Sequence, residues 1–248
     1  MNENLDFYSG GIDEINGLKF LQSADGLKIN MDTVLLAAWA RITKSYSKFL
    51  EAGCGTGAIS LFLANKFKNT KCRITGIDIQ SELVRIARIN AALNNLERVV
   101  SFIDGDFRDK RILPYESFDA LVINPPYSSM GAGRESSNIS RTTAKLELTC
   151  TLDDVGSLSF RILKGRGRLF AIFKTSRLDV FLETMRKYKI IPKRLKFIYP
   201  YAKSDSGTFL IECVKNGGEG LTVLPPLIVY DDDGYYTAEI KDMYKSLI

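Results

Sequence analysis

The 248-residue chain contains no histidine. A zinc site would therefore have to be built from most of its four thiols, yet Cys54, Cys72, Cys150 and Cys213 form no Cys-x-x-Cys pair. Cysteines scattered in this way read as free and reduced, as in a cytoplasmic protein, and no metal is expected. Nothing approaches a run of 18 apolar residues, so no spanning helix and no membrane partner is expected. The opening residues, Met1-Asn2-Glu3-Asn4-Leu5-Asp6, lack a basic region followed by an apolar core, and no secretory signal is expected there. Internal repeats and low-complexity tracts are also missing.

What is present suits one compact α/β domain: 45% hydrophobic and 25% charged residues, enough to bury a core. The pattern predicts strands up to about Lys28, a helix from Met31 to Ile42, and β-α units at 48–71, 73–94 and 99–123. A helix over 151–163, a strand over 167–174 and a helix over 177–187 follow, then antiparallel strands near 193–200 and 207–214. Such alternation argues for a parallel sheet with helices on both faces. Nothing in the sequence fixes an oligomeric state, and a monomer is favoured.

Four predicted strand ends carry polar chemistry. Behind Ala120-Leu121-Val122-Ile123 stands Asn124-Pro125-Pro126-Tyr127. A flat amino group needs two acceptors in its plane, and the Asn124 side-chain oxygen and the Pro125 carbonyl can supply them. The prolines fix the backbone around those acceptors, and the Tyr127 ring offers a stacking face. Proline pairs also simply end strands. Upstream, Glu51-Ala52-Gly53-Cys54-Gly55-Thr56-Gly57 follows a strand end and precedes an apolar, helix-compatible run. Its Gly-x-Gly-x-Gly spacing departs from the dinucleotide Gly-x-Gly-x-x-Gly, and glycines this dense allow close approach to a ligand. Next, Arg73-Ile74-Thr75-Gly76-Ile77 ends in Asp78, about 20 residues past the loop, where a ribose diol could be bonded or a helix capped. A third strand end carries Asp106 and Phe107.

Glycines, an acid, a second acid with an aromatic, and the amide-proline turn, in that order, resemble the class I S-adenosylmethionine-dependent methyltransferases, and Asn-Pro-Pro-Tyr resembles their amino-methylating branch. The resemblance implies a Rossmann-like, mostly parallel seven-stranded sheet closed by an antiparallel hairpin, with S-adenosylmethionine as cofactor. It implies that Glu51, Gly53, Gly55 and Gly57 wrap the methionine part, that Asp78 takes the ribose hydroxyls and that Asp106 and Phe107 hold the adenine. Asn124, Pro125, Pro126 and Tyr127 would hold the target nitrogen. Transfer from a sulfonium asks mainly for positioning, which suits a chain without histidine. Outside the shared core, the segment Leu21 to Ala40 is similar to that of the bacterial tRNA1(Val) adenine-37 N6-methyltransferases. That family has Gly-Thr-Asp where Asn30-Met31-Asp32 stands here, and the retained Asp32 joins the implied cofactor residues. Pro225 to Tyr230, Gly234 to Thr237 and Ile240 to Tyr244 resemble its closing strand and helix. Lys145 and Leu146 replace its usual arginine and histidine. The implied organisation is a single methyltransferase domain over 1–248, with an amino-terminal segment and helix at 1–45 and a catalytic core at 46–248.

The net charge is +5, unevenly placed. From Arg161 to Lys203 there are thirteen Lys or Arg and two acids, a local +11 that leaves −6 for the rest. A basic window on an otherwise acidic chain reads as a phosphate-binding surface, here for tRNA. Lys193, Arg194 and Lys196, interleaved with aromatic residues, are its candidate RNA contacts, although the same spacing also lets apolar residues face a core. Residues 128–141, rich in Gly and Ser, read as a mobile substrate lid. Other amino-group methylations, of rRNA guanine N2, DNA adenine N6 or protein glutamine N5, share the turn. The glutamine enzymes normally carry a helical amino-terminal domain, for which roughly 45 residues before the loop leave no room. A silent RNA-binding module would have lost the cofactor loop. A nicotinamide oxidoreductase leaves Asn124 without a role.

Overall fold

Strand β6 (Phe118–Ile123) is buried along its whole length, as a strand covered on both faces must be. The computed structural model, which describes residues 11–22, 29–41, 47–125 and 150–248, sets β6 between two parallel neighbours, β3 (Lys48–Ala52) and β7 (Leu163–Lys174). Beyond β3 the parallel order continues through β4 (Arg73–Asp78) to β5 (Val100–Asp104). Beyond β7, β9 (Thr208–Lys215) runs antiparallel both to β7 and to β8 (Ile190–Tyr199). These seven strands form the expected mostly parallel sheet with its antiparallel hairpin. Two short strands extend the edge along β8: β10 (Thr222–Val223), which the sequence does not announce, and β11 (Leu227–Ile228), inside the segment that resembles a closing strand.

Alternate side chains face opposite ways along each strand. Phe49, Ile74, Val122 and Phe170 pack beneath α1 (Met31–Trp39), α2 (Ala58–Lys66), α3 (Ser81–Leu93) and α6 (Ala238–Lys245). Leu50, Ile77, Ile123 and Leu169 face α4 (Leu152–Ile162) and α5 (Leu178–Lys187). A separate hairpin, β1 (Ile12–Ile15) and β2 (Leu18–Leu21), turns through Asn16-Gly17 at φ 51° and 74°, the left-handed pair that suits a two-residue turn.

Helix α4 opens on a reciprocal cap: the Thr151 hydroxyl accepts the Asp154 N–H and the Asp154 carboxylate accepts that of Thr151. Helix α1 opens on Asn30, whose side chain accepts the Thr33 N–H, and stops at Trp39, short of the expected Ile42. The Lys66 ammonium donates to the carbonyls of Ala37, Ala38 and Ala40 and so closes that end. Burial lowers the Lys66 pKa to about 8.

Two other expectations need correction. Residues 105–117 form turns and no helix, so the unit read over 99–123 is strand, turns and strand. Strand β7 starts at Leu163, four residues early, because Leu163 pairs with Phe118 before an irregularity in which Arg166 takes φ 66°. Lys164-Gly165-Arg166, which fall between the expected helix and the expected strand, lie within β7. The predicted lid at 128–141 and the segment from Lys145 to Thr149 lie outside the described residues. Among the described residues no helix is long and apolar enough to cross a membrane.

Candidate active site

Register aligns the strand ends. Ala52 pairs with Ile77 on one side and Ile123 on the other, and Asp78 pairs with Asp104. The glycine loop, Asp78, the Asp106-Phe107 turn and Asn124-Pro125 therefore leave the sheet from one carboxyl edge, where open parallel sheets bind ligands. Asn124 is half-buried and Pro125 is buried. Pro126 and Tyr127 fall outside the described residues. Asp32 lies in the first turn of α1, which packs on the loop's own helix, α2.

Gly53, Gly55 and Gly57 take φ of 70°, 52° and 84°, values that side-chain-bearing residues rarely adopt. The N–H groups of Gly53 and Cys54 both donate to the Ile77 carbonyl, at 2.9 and 3.1 Å, which staples the loop to β4. Phe102 lies beneath it: a Cβ on Gly57 would stand 2.7 Å from the Phe102 ring, and one on Gly76 2.6 Å from it. At Gly53 and Gly55 an added Cβ meets nothing within 4 Å. The Asp78 carboxylate accepts the Gly55 N–H at 2.8 Å and the Gln80 N–H at 2.9 Å, so one side chain joins the loop to the start of α3. Burial raises the Asp78 pKa against the pull of those backbone N–H groups. Ile79 beside it keeps 43% of its surface in solvent, an apolar face at the mouth of the site.

Glu51 is 3% exposed, and its carboxylate accepts both the backbone N–H and the hydroxyl of Ser60 in α2. Burial outweighs those two bonds and, with the charge of Asp78, pushes its pKa from 4.5 up to about 8. A carboxyl raised in the fold stabilises fully below its unfolded value and loses that contribution as pH rises toward the folded one. Between pH 4.5 and about 8, Glu51 should cost the folded state about 1.4 kcal/mol per pH unit. Glu51→Gln keeps an acceptor for Ser60 and removes the titration. Its melting temperature relative to wild type should climb from pH 5 to pH 8; a constant difference across thermal melts in that range would show that Glu51 stays ionised.

Asn90 was not legible as a site residue. It is fully buried on α3, with its side-chain oxygen accepting the Leu21 N–H at 2.7 Å and its amide donating to the carbonyls of Leu21 and Thr56 at 3.1 and 3.0 Å. One amide thus ties the β1–β2 hairpin to the glycine loop. The available signal was a polar residue on the apolar stripe with Ile86, Ala87 and Ala91. Asp106 also has an unforeseen partner: the Arg108 guanidinium forks onto its carboxylate and lowers its pKa. Phe107 packs against the core, and its carbonyl accepts from Arg161 at 2.8 Å.

The three basic candidates sit elsewhere, on β8. Arg194 bonds the buried Glu212 together with Arg41 and Arg168, and lies 4.6 Å from the centre of the Trp39 ring. The three guanidiniums overcome burial and lower the Glu212 pKa. Lys193 donates to the carbonyls of Gly218 and Glu219, and Lys196 pairs with Glu239. Each of the three side chains is thus held by a partner within the protein.

The sheet order, with a glycine loop and acids on one carboxyl edge, is that of the class I methyltransferase fold. The chain belongs to the methyltransferase domain family, which matches residues 43–179. It is 28% identical over 228 residues to the tRNA1(Val) (adenine(37)-N6)-methyltransferase of Porphyromonas gingivalis W83, covering 88% of this chain and 87% of that one. Among solved structures it resembles a predicted O-methyltransferase of Agrobacterium tumefaciens, with a TM-score of 0.70 at 18% identity over 87% of this chain and 96% of that one. It also resembles the geranyl diphosphate C-methyltransferase of Streptomyces coelicolor A3(2), solved with S-adenosyl-L-homocysteine, with a TM-score of 0.50 at 15% identity over 68% and 73%. Their substrates differ, so these structures speak to the fold and not to the acceptor.

Proposed function

We propose that the protein methylates N6 of an adenine in tRNA, with S-adenosylmethionine as donor and position 37 of tRNA1(Val) as target. The observation that carries this reading is Asn124-Pro125, held at the carboxyl end of the fully buried β6, directly beside the end of β3 from which the glycine loop departs. The relative from P. gingivalis, similar over nearly the whole chain, supports the choice of acceptor.

The residues present suit the cofactor. Open space at Gly53 and Gly55 leaves room beside the backbone, Asp78 offers a carboxylate for a diol, and Ile79 offers an apolar face to a base. The Arg108 guanidinium forks onto Asp106 and its backbone N–H adds a second bond to Oδ1, which leaves the outer lone pair of Oδ2 for an amino group. When bound, S-adenosylmethionine supplies a methyl group on an already activated sulfonium. The chain's own task is to hold the acceptor. The Asn124 oxygen and the Pro125 carbonyl accept the two N–H bonds of the amino group and turn its lone pair out of the ring plane. The Tyr127 ring stacks on the base, a contact worth roughly 1–3 kcal/mol. Transfer would leave the neutral thioether S-adenosylhomocysteine and a cationic, strongly acidic nitrogen, which gives up one proton to water, so no side chain need act as a general base.

The test is to incubate the protein with labelled S-adenosylmethionine and total tRNA, then identify the modified nucleoside and its position. N6-methyladenosine at position 37 is expected. Label on guanine, or only on a protein glutamine, would replace this reading with one of the other amino-group methylations.

A further inference from the structure

Four tyrosines distant in sequence form one column. Tyr201 lies 5.4 Å from Tyr230 between ring centres, Tyr230 stacks on Tyr236 at 5.4 Å and 21°, and Tyr236 stacks on Tyr244 at 5.9 Å and 28°. Tyr244, on α6, packs against the core and anchors one end. At the other end Tyr201 leaves 48% of its surface in solvent. Its turn is fixed: the Ser204 hydroxyl accepts the Tyr201 N–H at 3.0 Å and donates to the Tyr201 carbonyl at 2.8 Å. The next layer is held by Tyr230, whose N–H donates to the Pro200 carbonyl at 2.9 Å.

This open end faces the catalytic edge. Because β9 is antiparallel to both β7 and β8, β8 runs in the same direction as β6, and Tyr201 follows its carboxyl end. Three strand spacings separate β6 from β8, roughly 14 Å. Between them, the end of β7 carries Lys174 and the following turn carries Arg177. That turn is bonded to the Tyr201 loop by the Thr175 N–H on the Gly207 carbonyl at 3.2 Å and by the Thr175 and Ser206 hydroxyls at 2.9 Å. Lys174 and Lys203 are exposed. All three cations belong to the basic window. Acids border the strip as well: Asp179 follows Arg177 by two residues, Asp205 follows Lys203 by two, and both are exposed, while the Asp231 carboxylate after Tyr230 is turned onto the N–H groups of Asp233 and Tyr235.

We propose that this strip docks the substrate RNA beside its target nucleotide, with a flanking base stacked on Tyr201 and its phosphates against Lys174, Arg177 and Lys203. The inference rests on the tRNA reading above and adds the surface that holds the RNA. Aromatic faces suit any base, and cations along the same edge suit the backbone.

The experiment uses the full chain, a labelled anticodon stem-loop transcript and fluorescence anisotropy, with methylation followed in parallel. Tyr201→Ala should weaken RNA binding between about 5-fold and 150-fold, and Tyr201→Phe should stay within about twofold of wild type. Changing Lys174, Arg177 and Lys203 together to Gln should flatten the slope of log K against log salt by about 2. S-adenosylhomocysteine affinity should remain at the wild-type value in every variant, which separates RNA docking from damage to the fold. If the protein methylates RNA while Tyr201→Ala binds it as wild type, or while the triple variant keeps the wild-type slope, the docking surface is wrong and the tRNA reading stands. A wild-type protein that methylates no RNA overturns both.

Discussion

Asn124→Ala should slow single-turnover methylation by roughly 10²- to 10³-fold, the usual effect of removing one preorganised polar group from where charge develops, while leaving cofactor affinity at the wild-type value. The split follows from what the side chain does. Its oxygen accepts an N–H whose acidity grows as the amino nitrogen pyramidalises, so the contact is stronger in the transition state than in the ground state. An interaction of that kind appears in turnover and not in binding. The backbone supports the expectation, because Ile123 pairs with Ala52 on β3 and with Ala171 on β7, which fixes the point at which Asn124 leaves the sheet. Rates should be measured with each variant saturated in S-adenosylmethionine. Asn124→Ala at the wild-type rate, or a product methylated on a ring nitrogen or ribose, would dismiss the mechanism even for a genuine methyltransferase.

The parts of this fold that could be read in sequence are those where one local signal and the tertiary context agree. The run Ala120 to Ile123 reads as a buried strand and is one; the glycines of 53–57 read as a left-handed turn, and all three have positive φ. For Asp78 the carboxylate serves the start of α3, near the capping reading, and also the glycine loop, a bond that neither sequence alternative foresaw. What escaped the sequence depends on partners remote in the chain. Asn90 meets Leu21 and Thr56, 69 and 34 residues away, and no local pattern reports either. Arg194 looks like a phosphate contact because lysines and arginines cluster around it, yet its guanidinium is turned onto Glu212, 18 residues on, which it shares with Arg41 and Arg168. The Tyr201 column is assembled from β8 and a segment reaching Tyr244, and stacking among residues so separated has no periodicity to betray it. Lys164 to Arg166 failed for the opposite reason: the pairs Leu163–Phe118 and Arg168–Ala120 tie β7 to β6 on either side of them, so the loop-like stretch is carried inside the strand as an irregularity.

Gly57 and Gly55 should respond differently to the same change, because the fold constrains them by different means. Both have positive φ, 84° and 52°, so alanine at either adopts a left-handed backbone costing roughly 1–2 kcal/mol. At Gly55 the new methyl group meets no protein atom, so strain is its whole cost to the ligand-free fold, while in the complex it also enters the space left for the cofactor. At Gly57 it would also stand 2.7 Å from the Phe102 ring and 3.0 Å from the Ala87 methyl group, both in the core, so the loop must lift off β4 and β5. A lifted loop moves the N–H groups of Gly53 and Cys54 away from the Ile77 carbonyl. The cost of overpacking adds typically about 1–3 kcal/mol, so the ligand-free fold of Gly57→Ala should be less stable than that of Gly55→Ala by roughly that amount, and its S-adenosylhomocysteine affinity should fall roughly tenfold or more below wild type. Phe102→Leu shortens the ring side chain beneath the loop. It should therefore restore part of the affinity lost in Gly57→Ala and none of that lost in Gly55→Ala, a coupling that calorimetry on the two double variants reads directly. Equal losses of ligand-free stability at the two glycines, or equal rescue by Phe102→Leu, would mean that Phe102 does not support the loop and that backbone conformation alone sets the cofactor site.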